Sequence, residues 1–185
     1  MTALYRNDVP GQHAPSVYAA GLNAPLRPSL TGKITVDVAV IGAGFTGLWA
    51  AVTLAKAGRS VAILDAHRVG FGASGRNGGQ VQSGFNKGQR ALEERLGQDR
   101  ARALWDLAET AKDQLRTFCA DNPETAFAPG AAHAFYDRFE LAEARMEAEH
   151  LHRKYGDEAP VLDRATLADL VKSTAYIGGV RDPSG

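Results

Sequence analysis

The sequence predicts an α/β chain whose first half carries a parallel strand–helix–strand unit. Three observations predict it. Val36 to Ile41 and Val61 to Leu64 are short apolar runs rich in β-branched residues, the pattern of strands buried in a parallel sheet. Phe45 to Ala57 lies between them, helix-length and alanine-rich, with Phe45, Leu48, Trp49, Val52 and Ala55 as its apolar face and Gly58 as its stop. The turn from the first strand into the helix reads Gly42-x-Gly44-x-x-Gly47.

The chain opens with residues 1–33, rich in proline and glycine and without a sustained period, so an irregular lead-in segment is expected. It is read equally well as a segment draped over the domain or as a tail. At the glycine cluster each glycine has its own expected task. Gly42 lets the chain turn at the strand end, Gly44 lets a pyrophosphate approach bare backbone, and Gly47 lets the helix pack closely on the strand. The helix N-terminus, with Phe45 and Thr46 in its first turn, then offers free N–H groups and a positive dipole end. Ala51 keeps the same helix face small, four residues beyond Gly47. Asp65 ends the second strand, 18 residues past Gly47, where a carboxylate accepts hydrogen bonds from ribose hydroxyls and repels a 2′-phosphate. This is a Rossmann-like, dinucleotide-binding pattern, and it leaves FAD and NAD both open.

A second glycine cluster follows five residues later: Gly70 to Gln80, GFGASGRNGGQ, five glycines in eleven residues. Backbone that runs along the ribityl chain and flat ring head of a flavin must be bare, and Ser74, Arg76, Asn77 and Gln80 can then donate to it. This favours FAD. A surface loop is the bland alternative.

Beyond it, Gln89 to Ala120 is helical, broken at Gly97, with an apolar stripe of Leu104, Leu107, Ala108, Ala111, Leu115 and Phe118. Glu124 to Arg138 reads as two short strands about a Pro129-Gly130 turn. Phe139 to Tyr155 is an amphipathic helix stopped by Gly156. Asp163 caps a short helix through Val171, and Ala175 to Val180 reads as a strand.

Acidic and basic residues balance at 21 each, so no whole-chain charge points to nucleic acid or an anionic membrane. A single cysteine, Cys119, excludes a disulfide framework and a cysteine-built zinc site. The five histidines show no ligand spacing, so no metal is expected. No signal peptide or bilayer-length apolar run is seen, and a cytoplasmic location is expected.

The run from Asp37 to Gln80 resembles the FAD-dependent oxidoreductases of the D-amino-acid oxidase and sarcosine oxidase superfamily, and most of all its gamma-glutamylputrescine oxidoreductase branch. The shared features are GAG-x-TGL-x-A, the acidic residue after the second strand and GxGASGRNGGQ. The resemblance is strong over residues 25–88 and diffuse from 89 to 185. It implies an FAD-dependent enzyme that oxidises an amine or amino acid by hydride transfer to flavin N5, with imine hydrolysis and reoxidation by oxygen. It implies that Gly42, Gly44, Phe45, Thr46 and Gly47 hold the pyrophosphate, and Asp65 and Ala66 the adenosine ribose, with Arg68 near the adenine. Gly72, Ala73, Ser74, Gly75, Arg76, Asn77, Gly78, Gly79 and Gln80 then line the rest of the flavin. No catalytic base is expected among them. The implied domains are residues 34–122 as the FAD-binding part and 123–185 as the start of an α+β substrate domain, its C-terminal end returning toward the cofactor domain in one version. Chains of this kind continue well past residue 185, so an N-terminal portion of a longer enzyme is expected. An NAD-linked dehydrogenase and a non-catalytic dinucleotide-binding module are the rival readings.

Overall fold

The computed structural model describes residues 9, 11–22 and 25–185. Expectations for residues 1–8, 10, 23 and 24 lie outside the described residues. Two compact units divide between Gly79 and Gln80.

In the first unit, β1 (Val38–Ile41) and β2 (Val61–Leu64) pair in parallel, Val38 opposite Val61 and Ile41 opposite Leu64. β1 starts two residues later than its apolar run. Asp37 is engaged instead in a clasp: its N–H donates to Ser60 Oγ at 2.9 Å, and its Oδ2 accepts from Ser60 N–H and O–H, both at 2.8 Å. Those hydrogen bonds hold the Asp37 carboxyl below its ordinary value.

The helix α1 (Phe45–Lys56) joins the two strands. Its buried face is narrower than the apolar residues implied. Ala51 is buried, whereas Phe45 is 64% exposed and Ala55 is also exposed. A two-stranded sheet is too narrow to cover a wide helical stripe, so small residues make the contact and large ones overhang. The face of the sheet that bears Ile41, away from α1, is open, with Ile41 79% exposed.

The second unit contains α2 (Gln89–Leu96), α3 (Gln98–Asp121), β3 (Ala131–Phe135), α4 (Arg138–Tyr155), β4 (Val161–Leu162), α5 (Arg164–Val171) and β5 (Gly178–Asp182). The strands form an antiparallel sheet in the order β3-β5-β4. An expected helix cap and an expected helix break are present. Asp163 accepts from Thr166 N–H at 2.8 Å at the start of α5, and Gly97 separates α2 from α3.

Two expectations are corrected here. The hairpin about Pro129-Gly130 does not form. Only Ala131–Phe135 is a strand, and its partner is β5, with Ala131 opposite Asp182 and Phe135 opposite Gly178. Pro123 instead opens a 3-10 turn through Thr125, and Pro129 has no N–H for a ladder. The last strand begins at Gly178, three residues later than read. There Gly178 and Gly179 let Leu141 of α4 and Leu167 of α5 rest on the strand; a Cβ on Gly178 would lie 2.9 Å from Leu141 Cδ2. α2 and α3 lie in the compact unit that begins at Gln80.

The stripe on α3 is also displaced. Ala101, Trp105 and Lys112 are buried while Leu107 is 62% exposed. Lys112 is tolerated inside because its Nζ lies 3.2 Å from Glu109 Oε2 and 3.4 Å from Asp182 Oδ2. Asp157 shares this neighbourhood. Burial and the negative charges of Asp182 and Glu109 push its carboxyl up.

Glu93 joins α2 to α4. Its carboxylate accepts from Tyr155 O–H at 2.6 Å, from His150 Nε2 at 2.9 Å and from Lys154 Nζ at 2.9 Å. Burial pushes this carboxyl up, but the three donors outweigh it and hold the pKa at about 2. A depressed folded-state pKa gives stability that is full above the unfolded value, 4.5, and is lost as pH falls through about 2. Glu93→Gln should therefore lower stability at neutral pH by about 1 to 2 kcal/mol. Melting temperatures taken across pH should show the gap closing between about 4.5 and 2; a gap independent of pH would refute the ionic role.

Among the described residues, no helix is long and apolar enough to cross a membrane.

Candidate functional site

The site begins where β1 ends. Gly42 N–H donates to Leu64 O at 2.7 Å, which holds the strand ends together, and Gly42 then takes φ +99°, a conformation that side chains rarely adopt. The chain turns and enters α1 through Gly44. A Cβ on Gly47 would lie 2.0 Å from Gly42 O and 3.2 Å from Val40 Cγ1, so the helix packs against its own turn and the strand only because that atom is missing.

Asp65 stands exposed at the end of β2. Its Oδ2 accepts from Ala43 N–H at 2.8 Å and its Oδ1 from His67 N–H at 2.8 Å. The carboxylate is thus fixed against the glycine turn, and each oxygen keeps further accepting capacity toward solvent. Ala66 is exposed beside it and Arg68 is half-buried.

The second glycine cluster repeats the first turn. Gly70 has φ +68°, Gly72 precedes a 3-10 turn over Ala73–Gly75, and a Cβ on Gly75 would lie 2.1 Å from Gly70 O. This matches the relation of Gly47 to Gly42. The signal is in the sequence, since Gly70-x-Gly72-x-x-Gly75 has the spacing of Gly42-x-Gly44-x-x-Gly47. Reading the cluster only as bare backbone misses it.

The two turns are tied together. Gly70 N–H donates to Ala43 O at 2.9 Å, and Ser74 Oγ accepts from Phe45 N–H at 3.0 Å. No acidic side chain stands in the first turn of α1 and Gly44 has no side chain to cap it, so a hydroxyl 29 residues away does so. Ser74 Oγ occupies the kind of position that a phosphate oxygen takes at a helix N-terminus. A Cβ on Gly44 would lie 2.9 Å from that oxygen.

The remaining side chains of the cluster hold the loop itself. Asn77 Nδ2 donates to Ala73 O at 3.2 Å and Ser74 O at 2.9 Å, and its Oδ1 accepts from Gly79 N–H at 2.8 Å. Arg76 Nε donates to Phe71 O at 3.0 Å, with its guanidinium 5.1 Å from the Phe71 ring centre. Phe71, which composition alone did not single out, is buried and stacks on His67 at 4.1 Å. Gly72, Ala73, Gly75, Gly78 and Gly79 are exposed, as are Phe45 and Thr46; Gln80 is exposed at the start of the second unit. Among the described residues no three His, Cys, Asp or Glu side chains are grouped to hold a metal. Cys119 is a free, half-buried thiol.

Residues 37–185 match the family described as FAD dependent oxidoreductase (DAO). Gamma-glutamylputrescine oxidoreductase of Escherichia coli (strain K12) is 34% identical over 180 residues, 94% of this chain and 41% of that protein. A probable oxidoreductase, OrdL, of Rhizobium meliloti (strain 1021) is 36% identical over 160 residues, 85% of this chain and 37% of that one. The chain thus spans about two fifths of the length of the curated relatives it matches. Among solved structures, glycine oxidase from Bacillus cereus ATCC 14579 superposes with a TM-score of 0.61 at 21% identity, over 80% of this chain and 39% of that one. L-proline dehydrogenase from P. horikoshii superposes with a TM-score of 0.56 at 19% identity, over 79% and 36%. The choice between FAD and NAD that the βαβ unit leaves open is thereby resolved: the chain belongs to the DAO family of FAD-dependent oxidoreductases.

Proposed function

We propose that this chain is the FAD-binding part of an enzyme that oxidises an amine or amino acid, with gamma-glutamylputrescine the first substrate to try. The observation that carries it is the junction of the two glycine turns, where the α1 N-terminus, Ser74 Oγ and the Asp65 carboxylate converge around a bare Gly44. Gly42, Gly44, Phe45, Thr46 and Gly47 line the pyrophosphate, which is held by the helix dipole and by N–H groups of the turn other than those that Gly42 and Phe45 give to Leu64 and Ser74. Asp65 and Ala66 hold the adenosine ribose, and Arg68 lies toward the adenine. Gly72 to Gln80 line the ribityl and ring portion. Asn77 and Arg76 serve chiefly by shaping that loop, since both bond to its own carbonyls.

FAD, when bound, supplies the two-electron acceptor for the carbon beside the substrate nitrogen, leaving an imine for water to hydrolyse. The chain's own part is to bind and orient. The relatives' names support the substrate class; oxygen as electron acceptor and a cytoplasmic location are further parts of the proposal. The test uses the full-length reading frame that contains this chain. The purified protein should carry a flavin spectrum, and anaerobic addition of gamma-glutamylputrescine or another amine should bleach it. A flavoprotein that no amine or amino acid reduces would overturn the substrate class. A protein that refuses FAD would overturn the reading altogether.

A further inference from the structure

The lead-in segment reaches the second glycine turn. Gly11 N–H donates to His67 Nδ1 at 3.4 Å, and His67 stacks on Phe71 at 4.1 Å with 16° between the rings. The His13 ring lies 6.3 Å from Phe71. Residues 16–22 are coiled on themselves, with Ala20 N–H donating to Ser16 O at 3.0 Å and Leu22 N–H to Ala19 O at 3.1 Å. The coil forms one wall of a cleft of ≈ 380 Å³, with Tyr18 and Leu22 facing Ser74, Asn77 and Gly79.

We propose that residues 11–22 are a positioning element of the cofactor site, which holds the second glycine turn in the shape that receives FAD. This rests on the reading given under Proposed function. The physical need is entropic. A loop with five glycines in eleven residues loses more freedom on ordering than other sequence does. Ordering that FAD does not have to impose raises its affinity. Phe71 is the point of leverage. It is buried within the turn, Arg76 bonds to its carbonyl, and the lead-in reaches its ring through His67 and His13. The family match begins at residue 37, and the lead-in precedes it.

The test compares the full-length protein with a variant lacking residues 1–22, with Tyr18→Ala/Leu22→Ala, and with Asp65→Ala. FAD dissociation constants and hydrogen exchange of the FAD-free proteins are both measured. If removing the lead-in leaves the receptive loop populated about a tenth of the time, the dissociation constant rises about tenfold. Amides of residues 70–79 should then exchange faster while those of β1 and β2 do not change. The double substitution should move both readouts in the same direction. Asp65→Ala should weaken FAD without the selective loss of protection at 70–79. Should deletion also loosen β1 and β2, the double substitution decides. A parent that binds FAD, with lead-in variants that keep its affinity and its protection at 70–79, overturns this inference alone. A parent that binds no FAD overturns both readings.

Discussion

Asp65→Ala in the full-length protein is expected to weaken FAD binding by about 100-fold. The carboxylate is exposed at the end of β2 and already oriented, since Ala43 N–H and His67 N–H hold one oxygen each at 2.8 Å. Hydrogen bonds to a charged acceptor are worth about 1.5 to 3 kcal/mol each, and two such bonds to ribose hydroxyls account for the factor at about 1.4 kcal/mol per decade. Truncation has a second cost, because Ala43 N–H loses the partner that fixes the glycine turn. Asp65→Asn keeps the shape and one acceptor, so it should fall between alanine and the parent. Fluorescence titration of the FAD-free proteins measures the series. Unchanged FAD content in Asp65→Ala after extensive dialysis would sink the ribose role.

Gly47→Ala and Gly44→Ala should fail in different ways, although the two glycines belong to one motif. At Gly47 the added methyl meets backbone: Gly42 O at 2.0 Å and Val40 Cγ1 at 3.2 Å. Neither can move without opening the turn or lifting α1 from β1, so a loss of about 3 kcal/mol of stability is expected. Gly44 sits at φ −87° and ψ −178°, extended backbone that alanine also adopts, and its close neighbour is the rotatable hydroxyl of Ser74 at 2.9 Å. Gly44→Ala should therefore melt within about 1 kcal/mol of the parent. On the proposed site its methyl meets the approaching pyrophosphate, so FAD binding should fall about tenfold or more. Melting the FAD-free proteins and titrating them with FAD separates the two effects. Equal melting of Gly47→Ala and parent would show that the turn relaxes in a way the packed geometry does not indicate.

The parts of the fold legible in the sequence are those whose causes are local. The period of the apolar residues marks β2 and α1, a positive φ demands glycine at position 42, and Asp163 and Gly97 act on groups within a few residues. Each depends on neighbours along the chain, and so on residue type and spacing. The hairpin at Pro129 failed for the complementary reason. Ala131–Phe135 has good strand residues, but its partner β5 lies some 45 residues later, and nothing local names it. The stripe on α3 was misplaced because an apolar count cannot include Lys112, whose burial depends on Asp182, 70 residues away.

The candidate site divides along the same line. The sequence by itself determined the βαβ unit, the glycine turn after β1, the carboxylate at Asp65 and a second bare stretch, because steric freedom and charge at those positions are properties of the residues themselves. Only the tertiary structure decided that the second stretch repeats the first turn and that Ser74 caps α1. It also decided that Asn77 and Arg76 bond their own loop, and that the lead-in reaches Phe71 through His67 and His13. These are partnerships between segments distant in the chain. The backbone must already be folded before their distances, and therefore their energies, exist.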